Sequence, residues 1–467
     1  MSVFFGGRQI IKPGAYSEVD VEGMVPISIG GLKVLAVIGE ADFGEPKKVK
    51  WFNNPSTAKK YFKSGELLAG MQITWNPAPV IPGADLIAAI RANPATRANH
   101  ALQDTTPADA IILTAKDWGI VPLTVTVTDN LGDRSITVSD GVITETTGEY
   151  DNNAELIDDI NENFTLVTAE LAGGTPSLVV AAANTSFSNA GTNPNAELAD
   201  YQDCIDLLRT EDIHGIVPLT NLNTVHAYAL DHCVEMSAIK VKKERRIFVG
   251  HALDETVSEI KARTLDLNNH RALLVTPGIK RFDAQGDVVT LSSVFTACAI
   301  AGMWIGADFN YPLTYDYINA LGLEKNYELQ DIETLIQGGV TVVENVPGRG
   351  YRVVQAITTH QTDNNITYIE LSVSSLADIM SIELRNTLED LYIGKPYTNN
   401  TKESVKNTTI SKLNLFVRSG WLVESEAGDP PYRNINVFKE GTAIYVEWEG
   451  SPSVPNNYVL ITSSFTL

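Results

Sequence analysis

The chain has 467 residues with 44% apolar side chains, enough for about three cored domains at ~150 residues each. Its 35 Lys and Arg face 57 Asp and Glu, a net charge of −22. That argues against a direct nucleic-acid partner, because binding a polyanion needs a basic footprint. Cys204, Cys233 and Cys298 are too few and too widely spaced for a disulfide framework, and read as buried thiols of a chain made in a reducing cytoplasm.

The first 14 residues lack the apolar core and cleavage site of a secretory leader. Residues 14–23, "GAYSEVDVEG", alternate strictly. Ala15, Ser17, Val19 and Val21 share one side and Tyr16 lies on the other, as in an extended strand. The flanking "KPG" and "GMVP" isolate this strand from the rest of the chain. "VLAVIG" at 34–39 reads as a buried strand. "NPSTAKKYFKSGELLAGMQI" reads as helix capped by Ser56 or Thr57, and "PGADLIAAIRAN" as a further helix with Leu86, Ile87 and Ile90 on one face.

From about 103 to 192 the pattern turns to short β-rich runs around one helix, "AELIDDINEN". Residues 101–200 hold 16 acidic residues against two basic ones, Lys116 and Arg134, the mark of a separate solvated module. Helices and buried apolar runs then alternate through "IHGIVPLT", "RIFVGH" and "RALLVTPG", which predicts a parallel sheet covered on both faces. "FTACAIAGMWIGADF" is too short to span a bilayer and reads as a helix buried in protein, so no membrane insertion is expected. Beyond residue 350, "YRVVQAITTH" and "ITYIELSVSS" read as strands. "LADIMSIELRNTLEDLY" and "TKESVKNTTISKLNLFVRSG" read as helices, and "INVFKEGTAIYVEWEG" as a strand pair. The last ten residues alternate to the end, with Val459, Ile461, Ser463, Phe465 and Leu467 on one face and Leu460 on the other.

No stretch carries catalytic or cofactor chemistry. After Gly39 the loop "EADFGEP" could pass for a phosphate loop, but Gly44 is followed by Glu45 and Pro46 where a Walker loop needs Lys and Ser or Thr. Glu40, Asp42 and Glu45 would repel an anion there. His226, His232 and Cys233 lack a second Cys/His pair at zinc spacing. No cofactor, metal or catalytic residue is expected. Lys402, Lys406 and Lys412 make a basic helix stretch that could grip an acidic partner. The two terminal strands either fold back or add to another subunit's sheet.

In their order, "KPGAYSEVD", "VLAVIGEADFGEP", "NPSTAKKYFKSGELLAGMQITWNPA", "PGADLIAAIRANPATRA", "RALLVTPG", "YRVVQAITT" and "DIMSIELRNTLEDLYIGKPYT" resemble the contractile tail sheath proteins of myophages and phage-tail-like bacteriocins. The resemblance covers nearly the whole chain and is weakest in 103–192. It implies an α/β and α+β multidomain fold: an α/β core domain with a β-rich insertion, plus a C-terminal α+β domain completed by strands exchanged between subunits. The implied division is an N-terminal arm at 1–26, a core at 27–102 and 193–349, an outer insertion at 103–192, a C-terminal domain facing an inner tube at 350–457, and a C-terminal arm at 458–467. It further implies a structural subunit that polymerises with itself around a tail tube protein, meets baseplate and tail terminator proteins, and contracts to drive the tube through a cell envelope. Residues 15–22 and 458–467 would be the exchanged strands, and Lys402, Lys406 and Lys412 candidate tube contacts. The alternatives are a tube or baseplate component, or a nucleotide-binding enzyme.

Overall fold

A computed structural model of the chain describes residues 3–5, 8–10, 33–283 and 286–457. It divides into two units, Met1–Leu32 and Lys33–Leu467. In the first, strands Val3–Phe5 and Arg8–Ile10 pair antiparallel. The expected arm strands lie outside the described residues. This holds for Ala15, Tyr16, Ser17, Val19 and Val21, and for Val459, Leu460, Ile461, Ser463, Phe465 and Leu467.

The second unit is built on a nine-stranded sheet. Six neighbouring strands are parallel, in the spatial order Val340–Val346, Ala272–Thr276, Arg246–Val249, Gly215–Pro218, Val34–Gly39 and Leu86–Arg91. Numbered along the chain this order is 6-5-4-3-1-2, a doubly wound arrangement that reverses between Val34–Gly39 and Gly215–Pro218. One face is covered by the helices Pro55–Phe62, Glu66–Trp75 and Ser293–Gly306, which bury Phe62, Met71 and Ala301. The other is covered by Leu198–Leu207, Asn223–Met236, Val257–Leu267 and Leu329–Gln337, which bury Ile205, Val225, Ile260 and Leu335. On the first face Glu66–Trp75 and Ser293–Gly306 approach closely: a Cβ on Gly302 would stand 2.5 Å from the Thr74 carbonyl oxygen.

Two readings of the sequence are corrected. "LIAAIR" is a strand, not a helix, paired in register with Val34–Gly39. Its alanines and isoleucines are buried on both faces, so a helical stripe of Leu86, Ile87 and Ile90 was only one of several patterns an apolar run can mimic. "ITYIELSVSS" is helical: Ile366–Ile369 and then Leu371–Tyr392. Ser372, Val373, Ser374 and Ser375 are all buried, so no polar face marks the period, and packing overrides the β preference of the branched residues. The helix start in "NPSTAKK" also moves back. Asn54 is the cap, its side-chain oxygen accepting from the Thr57 N–H at 3.0 Å, and Pro55 opens the first turn.

The acidic module leaves the sheet after Arg91. Strands Arg97–Gln103, Asp109–Trp118 and Val167–Leu171 form one sheet. Thr124–Asn130, Asp133–Ser139, Thr144–Thr146 and Ala182–Ser186 form another. With the Asn153–Asn163 helix they enclose a separate core of Leu113, Val125, Ile136, Leu156 and Ile160. Its first strand thus begins ahead of residue 103. Its root is fixed by the fully buried Arg91, which donates to the Gly44 carbonyl at 2.8 Å and to the side chains of Asn93 and Asn193. At the other end of the sheet Val340–Val346 and Gly350–Gln355 form an antiparallel hairpin, and the division expected at 349/350 falls in its turn.

Candidate intersubunit surface

The loop after Val34–Gly39 lies where a doubly wound sheet usually takes its ligand, at the strand ends beside the reversal of order. Here chain fills that place. A Cβ on Gly39 would meet Leu219 at 2.8 Å, and the Leu219 carbonyl accepts from the Tyr201 hydroxyl at 3.0 Å. The carboxylates of the loop are used locally. Glu40 accepts from the Ala196 N–H at 2.7 Å, Asp42 from the Ser64 hydroxyl at 2.5 Å, and Glu45 pairs with Lys48 at 2.9 Å. "EADFGEP" therefore ties the sheet to the returning end of the acidic module.

His226, His232 and Cys233 share the Asn223–Met236 helix but not a common centre. His226 Nε2 contacts the Thr220 carbonyl at 2.8 Å, and Arg245 lies 3.0 Å from His232 Nε2. Burial pushes the pKa of His226 down to about 4 and the Cys233 thiol up to about 12. Among the described residues no group of His, Cys, Asp or Glu is placed to hold a metal ion. For His226 the folded value lies below the ordinary 6.5, so its contribution is complete above pH 6.5 and is lost as pH falls towards 4. The expected loss is about 3 kcal/mol at the acid end. In urea titrations from pH 7 to 4, His226→Phe should lose less stability than the unaltered chain. Equal slopes would remove His226 as the source.

The C-terminal part is joined to the sheet by charge. Asp378 on the Leu371–Tyr392 helix pairs with Arg246 at 2.9 Å and with Arg271 at 3.0 Å through each of its oxygens. Burial lowers the Arg246 pKa and the adjacent carboxylate opposes that shift. The Trp304 indole donates to Ser375 at 2.8 Å, and Arg385 grips Glu244 at 2.7 and 2.9 Å. The Thr401–Arg418 helix packs on Leu371–Tyr392 and buries Val405, Leu413 and Phe416.

This arrangement corrects one expected tube contact. Lys412 is buried, 1% exposed, and pairs with Glu383 at 2.7 Å, so its ammonium is spent inside the subunit. Lys402 is exposed and Lys406 half-buried. Six residues separate Lys406 from Lys412, about 600° of helix rotation, so the three lysines never formed one face.

Strands Tyr432–Glu440 and Ala443–Gly450 form a two-stranded antiparallel sheet beside these helices. The Tyr432 hydroxyl donates to Asn414 at 2.8 Å, and the Phe438 and Tyr445 rings stack at 4.9 Å. Only Val437 is buried in either strand. A lone hairpin with so little core is marginal in water. Among the described residues no third strand joins it along its length; residues 421–423 bridge only the chain just past Gly450, with the Val423 N–H donating to the Ser451 carbonyl at 2.9 Å. Between the hairpin tip and the turn after Tyr392 lies a groove of about 890 Å³ lined by Leu388, Leu391, Ile393, Tyr397, Ile444 and Val446. The strand pair is legible in the sequence, but its exposure is not, because exposure depends on what packs against it.

Residues 195–359 match the family model of the phage tail sheath protein central domain. A tail sheath protein of Bacillus phage SP01 is 26% identical over 99% of this chain and 97% of its own length. One from Staphylococcus phage Twort is 23% identical over 94% of each. Residues 195–359 thus match a phage tail sheath central domain, and the chain is similar to curated tail sheath proteins over nearly its whole length. Its function is that of a structural tail-sheath subunit. The sheath protein shares its fold with a sheath tail protein from Desulfitobacterium hafniense, at TM-score 0.70 and 16% identity over 94% of this chain and 96% of the other. It also shares it with the helical sheath of the anti-feeding prophage in its contracted state, at TM-score 0.57 and 11% identity over 97% of this chain and 98% of the other. No helix among the described residues is long and apolar enough to cross a membrane.

Proposed function

We propose that this sheath subunit polymerises around a tail tube by strand addition to the Tyr432–Gly450 hairpin, and that the polymer contracts to drive the tube through a cell envelope. The exposed hairpin, which no third strand joins among the described residues, carries this reading. Residues 15–22 and 458–467 of neighbouring subunits are apolar on one side and alternate along their length, as added strands must. Backbone bonding through flexible linkers lets subunits rotate while staying joined, which a contracting array requires. The chain then works as an arm at 1–26, an α/β core, an outer acidic insertion, a C-terminal part towards the tube, and a second arm at 458–467. Lys402 and Lys406 remain the candidates for the tube. Baseplate and terminator proteins are the partners at the two ends. The setting is the tail of a virion or tail-like particle, assembled in the bacterial cytoplasm, with no cofactor, nucleic acid or membrane required.

Electron microscopy of the purified chain tests this. Ring stacks or hollow rods are expected, growing longer with tube protein present. Dispersed monomers under both conditions would overturn it.

A further inference from the structure

Residues 47–65 contain six lysines and no acidic residue, inside a chain of net charge −22. They form the last strand of the nine-stranded sheet, Lys50–Phe52, and the Pro55–Phe62 helix. Lys47 and Lys63 are engaged within the chain, by Asp200 and Asp203 and by Asp117, and Lys48 pairs with Glu45. Lys59 and Lys60 are exposed and have no anionic partner among the described residues, and Lys50 sits over the Tyr61 ring at 5.3 Å. Trp51 beside them is 42% exposed on the open edge.

The acidic module presents the opposite case. Glu155, Asp158 and Glu162 stand at i, i+3 and i+7 on the Asn153–Asn163 helix, all exposed. No cation among the described residues pairs with them. The two cations within 101–200 are used elsewhere: Lys116 donates to the Phe164 carbonyl, and Arg134 pairs with Asp129 at 2.9 Å.

We infer that the lysine-bearing edge of one subunit docks onto the acidic Asn153–Asn163 helix of a second copy of this chain. The inference rests on the proposed polymer. Subunits carrying 22 negative charges repel one another, and close stacking needs positive surface set against negative. The free lysines are the counterpart of the free carboxylates in charge. The exposed Trp51 supplies the aromatic area that such contacts favour.

Three variants test it beside the unaltered chain, all read by sedimentation for the critical concentration of polymerisation. Lys59→Glu with Lys60→Glu should raise that concentration about tenfold at low salt, as expected from losing two or three exposed pairs, and less at high salt. Glu155→Lys, Asp158→Lys and Glu162→Lys together should do the same. Combining both sets should restore assembly, which a purely structural defect would not allow. Unchanged melting of the monomers shows that folding is intact, as suits exposed positions. If the unaltered chain polymerises and the lysine variant matches it, the contact is wrong while the sheath reading stands. Loss only when tube protein is present would assign the lysines to the tube and overturn the contact. An unaltered chain that never polymerises overturns both.

Discussion

Deleting residues 1–23 leaves a folded subunit that no longer polymerises. Folding survives because residues 33–457 contain the nine-stranded sheet, its helices on both faces and the core of the acidic module. On the proposed strand addition, assembly fails because the hairpin of the neighbouring subunit receives no added strand. In an added strand of eight residues about four face the hairpin with both N–H and C=O, giving about eight backbone hydrogen bonds at ~0.5 kcal/mol net each. Losing about 4 kcal/mol weakens each subunit contact roughly a thousandfold, and every contact along the polymer is weakened alike. The expected result is a monomeric peak in sedimentation with an unchanged far-ultraviolet spectrum. A finer variant separates backbone pairing from bulk. Val19→Pro with Val21→Pro keeps the length but removes two N–H donors, and it should weaken assembly nearly as far. Normal sheaths from the truncated chain would end the arm hypothesis.

The sequence made much of the scaffold readable, for a reason that also limits it. Buried strands such as Val34–Gly39 and Ala272–Thr276 are short apolar runs between polar helices, and that contrast survives without structure. Leu86–Arg91 shows the limit: once both faces are buried, Ala and Ile carry no period, and strand and helix look alike. The buried serines at the start of the Leu371–Tyr392 helix hid its period in the opposite way, by placing polar residues in the core. Lys412 reads as solvent-facing because a lysine suggests solvent, and only the neighbouring Glu383 explains its burial. The alternation at 15–22 and 458–467 is a pattern of the sequence, and both segments lie outside the described residues. The exposure of the Tyr432–Gly450 hairpin is not legible, since it depends on what packs against the strands and not on any residue in them.

Asp378→Ala should give a large loss of stability for a change away from the apolar cores. Asp378 serves two guanidiniums at once, and the Arg246 side chain is only 2% exposed. Removing the carboxylate leaves the buried Arg246 guanidinium without its anionic partner, which costs about 3–5 kcal/mol. At roughly 2–4 °C per kcal/mol, the first melting transition should fall by about 10 °C. Asp378→Asn keeps the shape and one acceptor, so it should lie between the two. Arg385→Ala is the contrast. That arginine is 23% exposed and serves one carboxylate, so the change should cost less than Asp378→Ala. The joint matters for function because the Leu371–Tyr392 helix carries the Thr401–Arg418 helix, on which the hairpin rests. Under the proposed strand addition, a subunit that pulls on its neighbour through that hairpin must pass the load into the sheet, and Asp378 pairs with arginines of the sheet from the helix that carries it. Asp378→Ala should therefore also lower the yield of ordered sheath at temperatures where the monomer is still folded. A melting point within about 1–2 °C of the unaltered chain, well short of the expected drop, would show that Ser375, Arg385 and apolar packing hold the joint without it.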